Sequence, residues 1–155
     1  MAATDLEALF RAHQREVFLY LVRVTGDVTL AEDLAQETFL RAFRGALTYR
    51  GESSTRTWLF SIARNVVATH YRKRHVEVFT DDDPEVAART PDPALRLSVT
   101  EALEALPVAA REVLVLCDLL GFEPTQAAAV TGLEPNALRV RLHRARDQFR
   151  KVYER

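Results

Sequence analysis

Gly121–Tyr153 reads GFEPTQAAAVTGLEPNALRVRLHRARDQFRKVY, and this stretch decides the fold. Gly-Phe-Glu-Pro at residues 121–124 recurs as Gly-Leu-Glu-Pro at 132–135. Each block stops one helix at its glycine and opens the next with proline at the first helical position, where a missing N–H is no loss. Glu is a weaker N-cap than Ser or Asp, so these two blocks mark the boundaries through Gly and Pro. Two helices joined by so tight a turn predict a helix-turn-helix. The second helix carries Leu138, Leu142, Ala145, Phe149 and Val152 as one apolar stripe. Between them lie Arg139, Arg141, Arg144, Arg146, Arg150 and Lys151, opposed up to Tyr153 only by Asp147. A helix that packs one face on a core and offers cations on the other has the electrostatic footprint of a nucleic-acid reader. Arg bonds a guanine bidentately in the major groove, or a phosphate on the groove wall. The competing reading of the same charges is a solvated basic face that meets an acidic protein. The preceding helix and the tight turn favour DNA.

The rest of the chain is also helical in pattern. Leu6, Leu9, Phe10, Val17, Tyr20, Leu21 and Val24 follow a 3.6-residue period. Thr4 with Glu7 reads as a capping box at the start of that helix, and Gly26 as its stop. Thr29 with Glu32 reads as a second capping box, opening a helix through Leu34, Phe39, Leu40 and Phe43. Gly45 to Thr57 is a polar loop, and a third helix runs from Trp58 to His75 with Leu59, Ile62, Ala63 and Val66 on one face. Asp92-Pro93 reads as an N-cap with proline behind it, beginning a helix that ends before Pro107. Another follows from Val108 to Leu120, stopped by Gly121. The expectation is an all-α protein of two small helical domains, residues 1–75 and 93–155, joined by a flexible acidic linker at 76–92.

Charge supports that division. The 155 residues hold 21 Lys+Arg and 22 Asp+Glu, a formal net charge of −1. The sum argues against a uniformly basic protein, but its distribution is uneven. Residues 1–75 carry 11 basic and 8 acidic residues, 76–97 carry 2 and 6, and 98–155 carry 8 of each. The middle segment includes Asp81-Asp82-Asp83 and three prolines, the composition of a linker rather than of a packed core. A weak divalent-cation site at the three aspartates is the lesser reading.

Several classes are disfavoured. The single cysteine, Cys117, allows no internal disulfide and no thiolate zinc site, and its setting in VLVLCDLL is that of a buried hydrophobe. His13, His70, His75 and His143 lack the i,i+3 or i,i+4 spacing of a helical metal pair. No Gly-rich phosphate loop or nucleophile elbow occurs. The expectation is therefore a non-enzyme without cofactor or metal. The longest uncharged run, Pro124–Leu133, is too short for a bilayer span, and MAATDLEALF has no secretory character, so a cytoplasmic protein is expected.

One more segment suits nucleic acid. Trp58, Arg64, Asn65, His70, Tyr71, Arg72, Lys73, Arg74 and His75 interleave rings with cations, as single-stranded or distorted nucleic acid requires. Against this, Trp58 at a helix start is also a natural core anchor, and Arg72-Lys73-Arg74 also suits a helix C-terminus.

Asp33-Leu34-Ala35-Gln36-Glu37-Thr38-Phe39-Leu40-Arg41-Ala42-Phe43 resembles region 2.2 of bacterial sigma factors of the extracytoplasmic-function (ECF) group. Trp58-Leu59-Phe60-Ser61-Ile62-Ala63-Arg64-Asn65 with Arg72-Lys73-Arg74 resembles regions 2.3 and 2.4. Leu106-Pro107, Arg111-Glu112-Val113 and Leu138–Arg146 resemble region 4. The resemblance implies a region 2-like domain that docks on the clamp helices of the largest polymerase subunit through Asp33, Gln36, Glu37, Phe39, Leu40 and Arg44. It implies that the loop from Leu47 to Thr57, including Arg50, Ser54 and Arg56, works with Trp58 and Asn65 to hold a flipped base of the −10 element. Arg64, His70, Arg72, Lys73 and Arg74 would hold the nearby strand. It implies −35 recognition by the second domain: Arg139, His143 and Arg144 toward base edges, Arg141 and Arg146 toward phosphates, with Asn136 and Arg111 also at the DNA. The implied partners are core polymerase, also through its flap, promoter DNA and an anti-sigma factor, which would hold the chain at the membrane without inserting it. Two patterns depart from the family: Gln126-Ala127-Ala128 replaces Glu-Ile-Ala, and Asn136-Ala137-Leu138 replaces Gly-Thr-Val. The alternatives are a sigma-like decoy for an anti-sigma factor and a free-standing helix-turn-helix regulator.

Overall fold

The computed structural model describes residues 3–80 and 98–154, and among them every regular element is a helix. The first unit holds α1 (Ala3–Thr25), α2 (Val28–Gly45) and α3 (Thr55–Arg72). Thr4 lies inside α1 rather than capping it. Gly26 stops α1 as expected: its φ of 70° is left-handed, and its N–H reaches the Val22 carbonyl at 2.7 Å. The cap of α2 is Asp27, not Thr29; its carboxylate accepts from Leu30 N–H at 3.0 Å. Ser54 caps α3, so this helix starts before Trp58. It also ends before His75, whose φ of 59° turns the chain back. Val78 and Phe79, which composition places in the linker, pack against the core as a result.

The second unit holds α4 (Val99–Glu104), α5 (Val108–Leu114), α6 (Pro124–Thr131) and α7 (Pro135–Tyr153). The expected start at Asp92-Pro93 lies outside the described residues; within them Ser98 and Glu101 form the capping box of α4. α5 continues as a π turn, Val115–Leu119, closed by Leu120 N–H on the Val115 carbonyl at 2.9 Å. Both Gly-x-Glu-Pro blocks act as expected. Gly121 and Gly132 have φ of 74°, and Pro124 and Pro135 open α6 and α7. The Gln126 side chain accepts from Glu123 N–H at 3.1 Å, which reinforces the start of α6.

The two units share one apolar core. Tyr20 and Phe60 of the first meet edge to face at 5.6 Å, and Phe60 meets Phe122 of the second at 5.0 Å. A carboxylate sits inside this core. Glu112 on α5 is 0% exposed; it accepts from Tyr20 Oη at 2.6 Å and from Arg64 Nε at 3.0 Å. Burial pushes its carboxyl above the usual carboxylate range, against the pull of the Arg64 charge and the Tyr20 hydroxyl. Burial, then the Glu112 charge, pushes the Tyr20 phenol well above its ordinary value, so it remains a donor. Arg111 beside it is also buried. Its Nη1 donates to the Val24 carbonyl of α1 at 2.8 Å, its Nε to Leu103 at 2.9 Å, and its Nη2 to Glu104 and Leu106 at 3.1 and 3.0 Å. One guanidinium thus satisfies carbonyls left over at the end of α4 and ties them to α1.

A shared core predicts a single cooperative unfolding transition. Phe122→Ala removes the ring between Phe60 and Arg56, and calorimetry should show it destabilised by about 3–5 kcal/mol with the transition still single; two resolved transitions would contradict a common core. The pH response of Glu112 has a definite sign. Its raised value means that the folded protein binds this proton more tightly than the unfolded chain, so acidification through the interval between those values favours the fold. Glu16 runs oppositely: burial raises its value, but hydrogen bonds from Arg56 and His13 outweigh this, so its contribution is lost as pH falls through the lowered value. The stability difference between wild type and Glu112→Gln isolates the first effect. In denaturant titrations it should move in favour of wild type as the pH is lowered toward the ordinary carboxylate range; a pH-independent difference would refute the assignment.

Candidate nucleic-acid and protein interfaces

α1 and α2 bury one face each and leave an apolar groove between their outer sides. Val17, Tyr20, Leu21 and Val24 form the buried stripe of α1. Phe10 and Phe18 form a second stripe on the same helix, facing α2. Phe10 stands edge to face on Phe39 at 4.9 Å, and Phe43 lies 6.4 Å beyond. The groove encloses about 460 Å³ and is lined by Phe10, Phe18, Ala35, Gln36, Phe39, Leu40 and Phe43. Leu40 and Phe43 are each 41% exposed, so the groove presents a contiguous apolar patch to solvent. Of the six residues read as a docking motif, Gln36, Phe39 and Leu40 line the groove. Asp33 and Arg44 are exposed on the same helix, and Glu37 accepts from Arg41 Nε at 2.9 Å. The sequence reading missed Phe10, Phe18 and Phe43 as groove residues; the four-residue spacing of Phe10, Gln14 and Phe18 beside the buried stripe was the available signal.

The loop before α3 is organised by one ring pair. Tyr49 and Trp58 lie 4.7 Å apart, and the Tyr49 hydroxyl donates to the Ser53 carbonyl. Trp58 is half-buried against the core, so it anchors the loop. Ser54 Oγ accepts from Thr57 N–H at 3.1 Å, an N-cap role. Arg50, Asn65, Arg72, Lys73 and Arg74 are exposed. His70 is half-buried, and burial with the Arg74 and Lys73 charges lowers its pKa, which favours the neutral ring. Arg56 and Arg64 are not on this open surface. Arg56 holds Glu16 through Nε and Nη2 at 3.0 and 3.2 Å, donates to the Leu120 carbonyl, and lies 3.9 Å over the Phe122 ring. Arg64 holds Glu112 and lies 4.2 Å over the Phe79 ring.

The helix-turn-helix presents α7 as the reading suggests. Leu138, Leu142 and Ala145 are buried, while Phe149 and Val152 pack at the core margin. Asn136, Arg139, His143 and Arg144 are exposed, and Asn136 Oδ1 accepts from Arg139 Nη1 at 3.3 Å. Arg141 is half-buried, and its charge reaches Glu112. Arg146 makes a bidentate pair with Asp118 at 2.7 and 3.0 Å, half exposed to solvent. Asn136, Val140, Arg141 and Arg144 line a concavity of about 520 Å³ against Pro107, Leu133 and Thr80. Arg111 is absent from this face; its guanidinium is spent on four carbonyls inside. Cys117 is half-buried, and burial pushes its thiol up to about 11, so it is chemically quiet. No helix among the described residues is long and apolar enough to cross a membrane.

Comparison with known proteins places these surfaces in a family. Residues 9–76 match Sigma-70 region 2, and residues 96–149 match Sigma-70 region 4. The chain is 39% identical over 154 residues to the ECF RNA polymerase sigma factor SigC of Mycobacterium tuberculosis, covering 92% of this chain and 80% of the relative. It is 32% identical over 159 residues to the ECF sigma factor SigE of Mycolicibacterium smegmatis, covering 96% of this chain but only 62% of that longer relative. Among solved structures, it superposes with TM-score 0.79 and 26% identity on the sigma factor RpoE of Bartonella quintana, crystallised with the anti-sigma factor NepR, over 98% of both chains. With a region 2-like bundle, a region 4-like helix-turn-helix and relatives of this similarity along nearly its whole length, the chain belongs to the ECF sigma factors, the proteins that direct RNA polymerase to specific promoters.

Proposed function

We propose that this chain binds core RNA polymerase through the α1/α2 groove and reads a split promoter with its other surfaces. The observation that carries this is the pairing, in one chain and in the family's order, of an exposed apolar groove bearing the region 2.2 motif with a helix-turn-helix whose outer helix is cationic. Leu40, Phe43 and Phe10 act as the apolar anchors for the clamp helices, and Asp33, Gln36, Glu37 and Arg44 form the polar rim. The loop from Leu47 to Thr57 with Trp58 and Asn65 holds an extruded −10 base, which offsets part of the unstacking cost. Arg50, Arg56, Arg64, His70 and the Arg72-Lys73-Arg74 run hold the surrounding strand. α7 enters the −35 major groove with Arg139, His143 and Arg144 at base edges and Asn136 beside them. Arg141 and Arg146 serve phosphates; Arg146 exchanges Asp118 for a phosphate at small cost, because the pair is solvent-exposed.

Two domains on one tether raise each other's effective concentration on the two promoter elements. The chain performs no chemistry itself, works in the cytoplasm, and contacts the polymerase flap through its second domain. An anti-sigma factor regulates it, a reading supported by the complex of the similar RpoE with NepR.

The test is reconstitution with core polymerase and a library of promoter fragments. Promoter-specific initiation is expected, and failure to bind core would overturn the reading. Leu40→Asp places a charge in the groove from an exposed position, so core affinity should fall by about tenfold or more with the fold intact; unchanged affinity would exclude the groove. Asn65→Ala should slow open-complex formation while core binding persists, and unaltered promoter opening would remove Asn65 from the base pocket. Arg144→Ala should cost about 1–3 kcal/mol at the −35 element of the preferred promoter; an equal loss on every sequence would mark a phosphate contact instead.

A further inference from the structure

The outer face of α7 carries one large apolar side chain among polar ones. Leu138, Leu142 and Ala145 are buried and mark the inner side of the helix. At about 100° per residue, Val140 lies about 200° around the axis from Leu138, opposite that stripe. Asn136 and Arg144, one turn to either side, share its direction, and Arg139 and His143 stand beside it. All four of these neighbours are polar and exposed. Val140 is 49% exposed, so about half of its apolar surface stays in water. Val is also a poorer helix former than Ala. Neither packing nor helix propensity accounts for this residue at this position.

We propose that Val140 is a specificity-determining residue of the −35 surface, and that it reads the C5-methyl group of a thymine in the major groove. The inference rests on the proposed reading of α7 as the −35 helix and adds a base identity to it. The side chain opposite the buried stripe points farthest from the core and reaches deepest into a groove that admits the helix. Adenine, guanine and cytosine present hydrogen-bonding atoms in that groove, and thymine alone adds an apolar methyl group. An apolar side chain pressed onto a polar edge would strip water from it without replacing the lost hydrogen bonds. Against the methyl group, both partners bury apolar surface.

The residue type suits this task. The β-branched side chain of Val is held in one dominant rotamer in a helix, so it presents its two methyl groups with little freedom left to lose. Asn136 and Arg144 supply donors and acceptors one turn before and after it, toward the neighbouring base pairs. The discrimination comes from a single methyl group, so it is modest in size and confined to one base pair.

The test uses the full chain, alone and in complex with core polymerase, on the −35 duplex it selects from a library. Each thymine of that element, on either strand, is replaced in turn by deoxyuridine, which removes the C5-methyl group and keeps the pairing. At one thymine the replacement should weaken wild-type binding by about fourfold, the worth of one buried methyl group. Val140→Ala should bind the thymine and deoxyuridine duplexes equally, with an unchanged circular dichroism spectrum, and Val140→Ile should restore the difference. A penalty that persists in Val140→Ala would overturn the assignment, as would no penalty at any thymine or no selected duplex at all. Reduced core affinity of Val140→Ala with its thymine discrimination intact would also overturn it and mark Val140 as a protein contact. Failure of wild type to bind core would overturn the sigma-factor reading, while binding of the chain alone to the paired duplexes still decides the role of Val140.

Discussion

The rest of the structure depends on one buried anion. Glu112 has no access to water, so its charge must be met by donors within hydrogen-bond distance, and these come from two helices of the other unit: Tyr20 on α1 and Arg64 on α3. The apolar surfaces around it, Phe60 against Phe122 and the buried face of Tyr20, supply non-directional attraction. The carboxylate supplies register. It is satisfied in one relative placement of the units and unsatisfied when they slide. Arg111 does the same with carbonyls, linking the end of α4 to the end of α1.

This placement divides the functional surfaces. The α1/α2 groove, the Asn65 face of α3 and the Arg139–Arg144 face of α7 remain exposed, while Arg56, Arg64 and Arg111 are turned inward. The same residue type thus serves two ends. A guanidinium recognises a carboxylate, a carbonyl or a phosphate with the same fork of N–H groups, so a contact within the chain and a contact with DNA are interchangeable in chemistry.

Much of this was legible in the sequence. The repeated Gly-x-Glu-Pro blocks specified α6, the turn and α7, because left-handed glycine and proline at a helix start are local constraints that tertiary packing rarely overrides. The stripe Leu138, Leu142, Ala145 is buried as its spacing required. Local competition caused the boundary errors: Asp27 outranks Thr29 as the cap of α2, and Ser54 starts α3 ahead of Trp58. The π turn at Val115–Leu119 has no local signature. The shared core was the larger omission. Periodicity shows that a helix has a face to bury, not which helix will cover it, and an acidic linker reads as separation. The inward contacts of Arg56, Arg64 and Arg111 were illegible for the same reason, since only the fold shows which anion or carbonyl a guanidinium meets. The near-zero net charge hides two basic surfaces and an acidic segment between them.

The most direct test of the account follows the distance between the two units through initiation, with one fluorophore on an exposed position of α2 away from the groove and one at the C-terminal end of α7. The account predicts a short distance in the free chain and a long one in the complex with core polymerase and promoter DNA. A short distance that persists in a complex actively initiating transcription would contradict it.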